Sequence, residues 1–280
     1  MKSHAALDVR TDASDLLLAI VDDFGPTAVE ERDAVARLFF STSSDRDSAQ
    51  RALASTFDVT AVDVSDEDWA RRSQEGLEPI TVGRITVFPN PQSIRNPQST
   101  IRNTIDIVIV PSMGFGTGHH VTTRLCLAAL QEIDVTNRIV LDVGTGSGVL
   151  AIAADRLGAS TAVGIDYDED AIQSARENLD LNPEVRHVTF ETVDLAARAL
   201  PLADILTANL TGALLVRSAA MLLGAVQPDG TLILSGIQSH ERDEVRQAFA
   251  GAAVVWERDE DGWVGLAVQK ASGRNVSVKS

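Results

Sequence analysis

The sequence predicts an α/β protein built on a doubly wound, mainly parallel sheet of seven strands, preceded by a smaller α+β unit. Three observations carry this reading. Ile139-Val-Leu-Asp-Val143 is a short run rich in branched apolar residues, as expected of a strand buried on both faces. It stops at Gly144, Gly146 and Gly148, and Val149 to Ala154 then reads as a helix, so the glycines fall in a strand-to-helix turn where a ligand can approach bare backbone. From there to the C-terminus, apolar strands and helices alternate, the pattern of a sheet covered on both faces.

A chain of 280 residues has ample length for one or two domains, and 44% hydrophobic with 23% charged residues is ordinary globular composition. The net charge of −16 argues against a nucleic-acid partner and against anionic membranes, since both are bound through Lys and Arg. No long apolar segment resembling a signal peptide opens the chain, and the apolar stretch from Ala213 to Val226 is interrupted by Arg217. A cytoplasmic protein without a membrane segment is expected. Cys126, the single cysteine, lies in the apolar run Leu125 to Leu130 and reads as a small buried hydrophobe.

Residues 1–66 are read as strand (Ala5 to Val9), helix (Ala13 to Phe24, striped by Leu16, Leu17, Ile20 and Val21), two strands (Thr27 to Glu30 and Ala36 to Ser41), helix (Asp45 to Thr56) and strand (Phe57 to Val64). That βαββαβ order is the ferredoxin-like one. Acidic residues outnumber basic ones here, and no catalytic cluster is present, so a recognition module is expected. Residues 67–104 form a connector. It holds Trp69, a strand or hairpin between Pro79 and Val87, and the unit Asn90-Pro-Gln-Ser repeated from Asn96, which reads as a polar loop insertion.

The second domain, residues 105–271, opens with the alternating strand Ile105 to Val110. Met113-Gly-Phe-Gly-Thr-Gly-His-His-Val-Thr-Thr123 then leads into the helix holding Cys126, with Thr122 and Thr123 placed to cap it. His119 and His120 are adjacent, which turns their side chains apart, and no metal site is expected. Past the glycine turn come a strand from Thr161 to Asp166, a helix from Glu169 to Leu181, and strands from Val188 to Val193 and from Ala203 to Leu210. A helix from Gly212 to Val226, the strand Thr231 to Ser235, a helix from Glu241 to Phe249, and a hairpin of Ala253 to Glu257 with Trp263 to Val268 close the domain. Residues 272–280 are a polar tail.

Asp166 ends the strand after the glycine turn, where a doubly wound sheet places a carboxylate on ribose hydroxyls. The dinucleotide fingerprint would need Gly or Ala at Val149, which disfavours a nicotinamide cofactor. Gly-x-Gly-x-Gly after Asp142 is instead the form with which class I methyltransferases hold S-adenosylmethionine. With F-G-T-G-H-H-V-T-T (Phe115 to Thr123), L-D-V-G-T-G-S-G, G-I-D-Y-D and A-N-L-T-G in order, the chain resembles the ribosomal protein L11 methyltransferase family.

The resemblance implies a ferredoxin-like recognition domain, a linker and a class I catalytic domain. It places cofactor contacts on Thr123, Gly144, Gly146, Asp166 and Asn209, with Asn209 also at the reacting amine. The implied activity is methylation of lysine or N-terminal amino groups of a large-subunit ribosomal protein. Departures from the family pattern are His119 for threonine, Val121 for proline, Ser73 where a second tryptophan is common, and Asn209-Leu-Thr-Gly for Asn-Ile-Leu-Ala.

Methyl transfer from a sulfonium is an in-line displacement in which alignment and exclusion of water do most of the work. An amine nucleophile must be neutral, which is costly for lysine at about pKa 10.4 and mild for an α-amino group near about 8. No residue announces itself as a general base. Two alternatives stay open: a class I methyltransferase acting on another protein or a small molecule, and a non-catalytic binding module docking a basic partner through its acidic first domain.

Overall fold

The computed structural model describes residues 3–11, 17, 21, 24, 28–32, 35–40, 42–54, 56–65, 77–92, 104–111, 120–195 and 199–272. The chain divides into two compact units, Met1–Glu75 and Gly76–Ser280. Most of the Ala13 to Phe24 helix, the segment around Trp69 and Ser73, the second N-P-Q-S copy, Phe115 to His119 and residues 273–280 lie outside the described residues.

In the first unit, strands β1 (Ser3–Arg10), β2 (Ala28–Arg32), β3 (Val35–Phe40) and β4 (Asp58–Ser65) form a sheet of order β2-β3-β1-β4, every described pair antiparallel. Alternation sorts the side chains of each strand between two faces. Leu7, Val9, Leu38 and Phe40 face one way, clustering with Leu17, Val21 and with Ala49 and Leu53 of helix α1 (Ser43–Leu53). Ala6 and Phe39 face the other, with Val64. Thr42 caps α1, its hydroxyl oxygen accepting the Asp45 N–H at 3.2 Å.

The second unit opens with a hairpin, β5 (Ile80–Val82) and β6 (Ile85–Phe88), turned by Gly83 at φ 57°. β6 pairs in parallel with β7 (Ile105–Val108), so the hairpin that sequence alone leaves in the connector shares a sheet with the strand after the insertion.

The main sheet has seven strands: β8 (Ile139–Val143), β9 (Thr161–Asp166), β10 (Val188–Thr192), β11 (Ala203–Asn209), β12 (Val226–Gln238), β13 (Ala252–Glu260) and β14 (Trp263–Lys270). Their order is β10-β9-β8-β11-β12-β14-β13. The first five run parallel, and β14 and β13 add antiparallel pairs. Helices α2 (Val121–Glu132), α3 (Val149–Arg156) and α4 (Glu169–Asp180) supply apolar side chains to one core cluster. Those of α5 (Gly212–Gly224) and α6 (Arg242–Ala248) belong to the other. Chain order reverses between β8 and β11, which opens a crevice beyond their carboxyl ends.

β12 is longer than the strand read above, Thr231 to Ser235. β12 begins at Val226 rather than Thr231, because Val226 already pairs with Ala203 and Asp229 takes a left-handed φ of 65°. Pro228-Asp229-Gly230 has turn composition, and sheet pairing overrides it.

Candidate active site

The turn after β8 is built from three left-handed glycines, Gly144 at φ 71°, Gly146 at 52° and Gly148 at 82°. Side chains are strained in that region of backbone space. The N–H groups of Gly144 and Thr145 both donate to the Ile165 carbonyl at 2.9 Å, tying the turn to β9. A Cβ on Gly148 would lie 2.6 Å from Phe190 Cζ, and one on Gly144 2.5 Å from Leu210 Cδ2. Gly148 therefore serves close helix packing. Gly144 keeps its backbone bare at the crevice.

Two carboxylates hold this turn from opposite sides. Asp166 accepts the Gly146 N–H at 3.0 Å on one oxygen and the Asp168 N–H at 3.2 Å on the other. Asp142 is fully buried and accepts hydroxyl bonds from Thr145 at 2.6 Å and Thr207 at 2.5 Å. Burial pushes its carboxyl up to about 6, the Thr145 and Thr207 hydroxyls pull it partly back, and the charge of Asp166 raises it further.

At the far side, Asn209 closes β11 and donates from Nδ2 to Thr123 Oγ1 at 3.3 Å. Thr123 has no exposed surface. The expected threonine cap is corrected here: the helix starts at Val121 and its N-cap is His120, whose Nδ1 accepts the Thr122 N–H at 3.4 Å. An extended backbone at His120 puts the cap before both threonines, and this leaves Thr123 to face Asn209 from within the first helical turn. Burial, with the charge of Arg124 second, lowers the His120 pKa and keeps the ring neutral near pH 7.

These groups border a cavity of about 570 Å³, a size suited to one small molecule. Gly144, Gly146, Asp166 and Asn209 all line it. Thr123 does not; it stands behind the wall and reaches the cavity through Asn209. Among the linings that sequence reasoning did not single out are Tyr167, 79% exposed, Leu210, Gly236 and Trp263. Tyr167 and Leu210 adjoin Asp166 and Asn209, and that adjacency was the available signal. Trp263 meets His120 edge-on, ring centroids 5.1 Å apart, an arrangement no spacing in the chain foretells. Cys126 is buried, and burial raises its thiol pKa well above the usual range.

The cavity wall thus offers the Asp166 carboxylate, the backbone of Gly144 and Gly146, the Asn209 amide and the rings of His120 and Trp263. An elongated ligand with a diol and a positive charge suits these surfaces.

Comparison with known proteins agrees with this geometry. The profile of the family described as ribosomal protein L11 methyltransferase (PrmA) matches residues 19–271. A ribosomal protein L11 methyltransferase of Burkholderia multivorans is 39% identical over 216 residues, covering 75% of this chain and 67% of that protein. One of Hamiltonella defensa is 37% identical over 194 residues, covering 69% of this chain and 62% of that protein, so the match spans less than two thirds of this relative. The crystal structure of a ribosomal protein L11 methylase from Lactobacillus delbrueckii subsp. bulgaricus aligns with a TM-score of 0.62 at 27% identity, covering 70% of this chain and 98% of that one.

Proposed function

This chain belongs to the ribosomal protein L11 methyltransferase (PrmA) family, and on that premise we propose that it is an S-adenosylmethionine-dependent protein N-methyltransferase. Its substrate is a large-subunit ribosomal protein of the L11 type, methylated on lysine or N-terminal amino groups. The observation that carries the reading is the convergence of Gly144, Gly146, Asp166 and Asn209 on one cavity in a chain that matches the family from residue 19 to 271.

The residues fit the cofactor. Gly144 lines the cavity with backbone where a side chain would run into Leu210, and Asp166 is held by two N–H bonds with its carboxylate at the cavity wall. S-Adenosylmethionine supplies an electrophilic methyl group on a cationic sulfonium. Asp166 would accept the ribose hydroxyls, and the backbone of Gly144 and Gly146 would border the methionine end. Asn209, steadied through its Nδ2 by Thr123, presents its amide oxygen as an acceptor that orients the incoming amine. His120 and Trp263 exclude water at that end, and a dry site beside a cation favours the neutral, nucleophilic amine.

The first unit serves as the recognition domain in this reading. Its β2-β3-β1-β4 order supports a ferredoxin-like fold, and the parallel run β10 to β12 with its antiparallel edge supports the class I assignment for the second unit. Among the described residues no helix is long and apolar enough to cross a membrane, and action in the cytoplasm follows from a ribosomal substrate.

Incubation with labelled S-adenosylmethionine and purified L11, followed by mass mapping, tests the proposal. Label on lysine or N-terminal amines is expected. Label confined to other proteins or to small molecules would reassign the substrate, and absence of S-adenosylmethionine binding by calorimetry would remove the enzyme reading altogether.

A further inference from the structure

Strand β7 pairs with β6 along one edge, and its other edge is satisfied by side chains. Asn182 accepts the Val108 N–H at 2.9 Å and donates from Nδ2 to the Val108 carbonyl at 2.8 Å, as a neighbouring strand would. Asn178, one helical turn earlier, accepts the Val110 N–H at 2.9 Å. Its Nδ2 points elsewhere: it donates to the carbonyl of Ser147 at 3.0 Å, inside the glycine turn. Both asparagines are buried, at 2% and 3% exposure, and Ser147 is at 1%. Bulk water does not reach these groups, so each of these bonds is costly to lose.

A backbone N–H at one end of the Asn178 amide and a carbonyl at the other admit only one orientation, oxygen toward Val110 and nitrogen toward Ser147. The side chain is therefore a strut of fixed polarity between two segments far apart in sequence. One is the glycine turn, whose Gly144 and Gly146 line the cavity. The other is the end of the β7 segment, from which the chain proceeds to Met113-Gly-Phe-Gly-Thr-Gly and then to His120 and Thr123. Asn182 braces the second segment and donates from Nδ2 to the Asn178 carbonyl at 2.6 Å, but none of these bonds reaches the turn.

We propose that Asn178 is a positioning residue for the cofactor, holding the glycine turn in register with the segment that leads to the His120 and Thr123 wall, and that Asn182 contributes to stability alone. The proposal rests on the reading of this cavity as the S-adenosylmethionine site. It separates two buried asparagines, one in α4 and one just past its C-terminal end, that a purely structural account would treat alike.

The test compares Asn178→Ala, Asn182→Ala and the wild type in the full chain, measuring unfolding midpoints and S-adenosylmethionine affinity by calorimetry. Both variants lower the midpoint. Asn178→Ala also weakens cofactor binding by about tenfold, the consequence of the lost bond to the Ser147 carbonyl and a loosened turn, whereas Asn182→Ala leaves affinity within about twofold. In turnover, Asn178→Ala raises the KM for S-adenosylmethionine more than it lowers kcat at saturation. Equal affinities in the two folded variants would overturn the proposal, as would a parallel loss in both.

Amide exchange in the wild type provides a measurement that needs no variant. Addition of S-adenosylmethionine slows exchange at Val110 more than at Val108, because only Val110 is tied through Asn178 to the turn. Equal protection at the two positions would overturn the coupling even if Asn178→Ala fails to fold. A wild type that binds no S-adenosylmethionine at all would instead count against the functional reading on which the proposal stands.

Discussion

At the scale of single residues, the two aspartates of the site do different work. Asp166 lies at the cavity wall with its oxygens fixed by the Gly146 and Asp168 N–H groups, so Asp166→Ala is expected to lose charge-assisted bonds worth on the order of 1.5–3 kcal/mol. Calorimetry with S-adenosylmethionine checks this, and unchanged affinity in a folded variant would take Asp166 out of the site. Asp142 lies beneath the turn, and its carboxyl, raised to about 6, makes the folded state bind a proton more tightly than the unfolded chain does. Its ionised form therefore costs stability at pH 7, roughly 2–4 kcal/mol, a cost that shrinks as pH falls through about 6 and is gone near 4. Urea unfolding from pH 4 to 7 should show Asp142→Asn with a flatter profile than wild type. Parallel profiles would mean that the hydroxyls of Thr145 and Thr207 fully compensate burial. The glycines and Asp166 were legible in the chain because turn chemistry and strand ends are local signals. The hydroxyl pair around Asp142 was not, since Thr207 comes from β11.

At the scale of elements, the end of β11 depends on a glycine in β12. Gly236 has φ 84°, and a Cβ there would run into the backbone carbonyl of Leu210, the residue after Asn209. Gly236→Ala is expected to cost about 1–3 kcal/mol of stability and to weaken S-adenosylmethionine binding together with it, because Leu210 also shields Gly144. Unfolding midpoints and calorimetry on one preparation check both halves; full stability with full affinity would show that the loop shifts without cost. The start of α2 is a similar case. Its cap was assigned to threonine on composition, but the backbone placed His120 at the cap and turned Thr123 toward Asn209. Capping preference ranks Thr above His, and tertiary contact with β11 and Trp263 outweighs a preference worth about 1 kcal/mol.

At the scale of the whole molecule, the cavity-lining residues belong to the unit that begins at Gly76, while the acidic segment of residues 1–66 belongs to the other. A fragment starting at Gly76 is expected to bind S-adenosylmethionine with wild-type affinity and to fail on L11. The cut precedes β5, because β5 and β6 complete the sheet that contains β7. Methylation of L11 by that fragment at the full rate would refute the recognition role of the first unit.

What the sequence determined by itself is the alternation of strands and helices, the glycine turn, the carboxylate at the end of β9 and the amide at the end of β11. Periodicity, turn residues and short motifs are read within a few residues of the chain, and each of these features is that local. Only the tertiary structure decided that Thr123 stands behind Asn209 rather than in the cavity, that Trp263 closes the far wall against His120, and that Asn178 ties the turn to β7. Those relations join positions 31 to 143 residues apart, and they exist because the order β10-β9-β8-β11-β12-β14 brings the ends of distant strands to one crevice. Long-range pairing of that kind is set by burial of the two apolar faces of the sheet, which no single segment encodes.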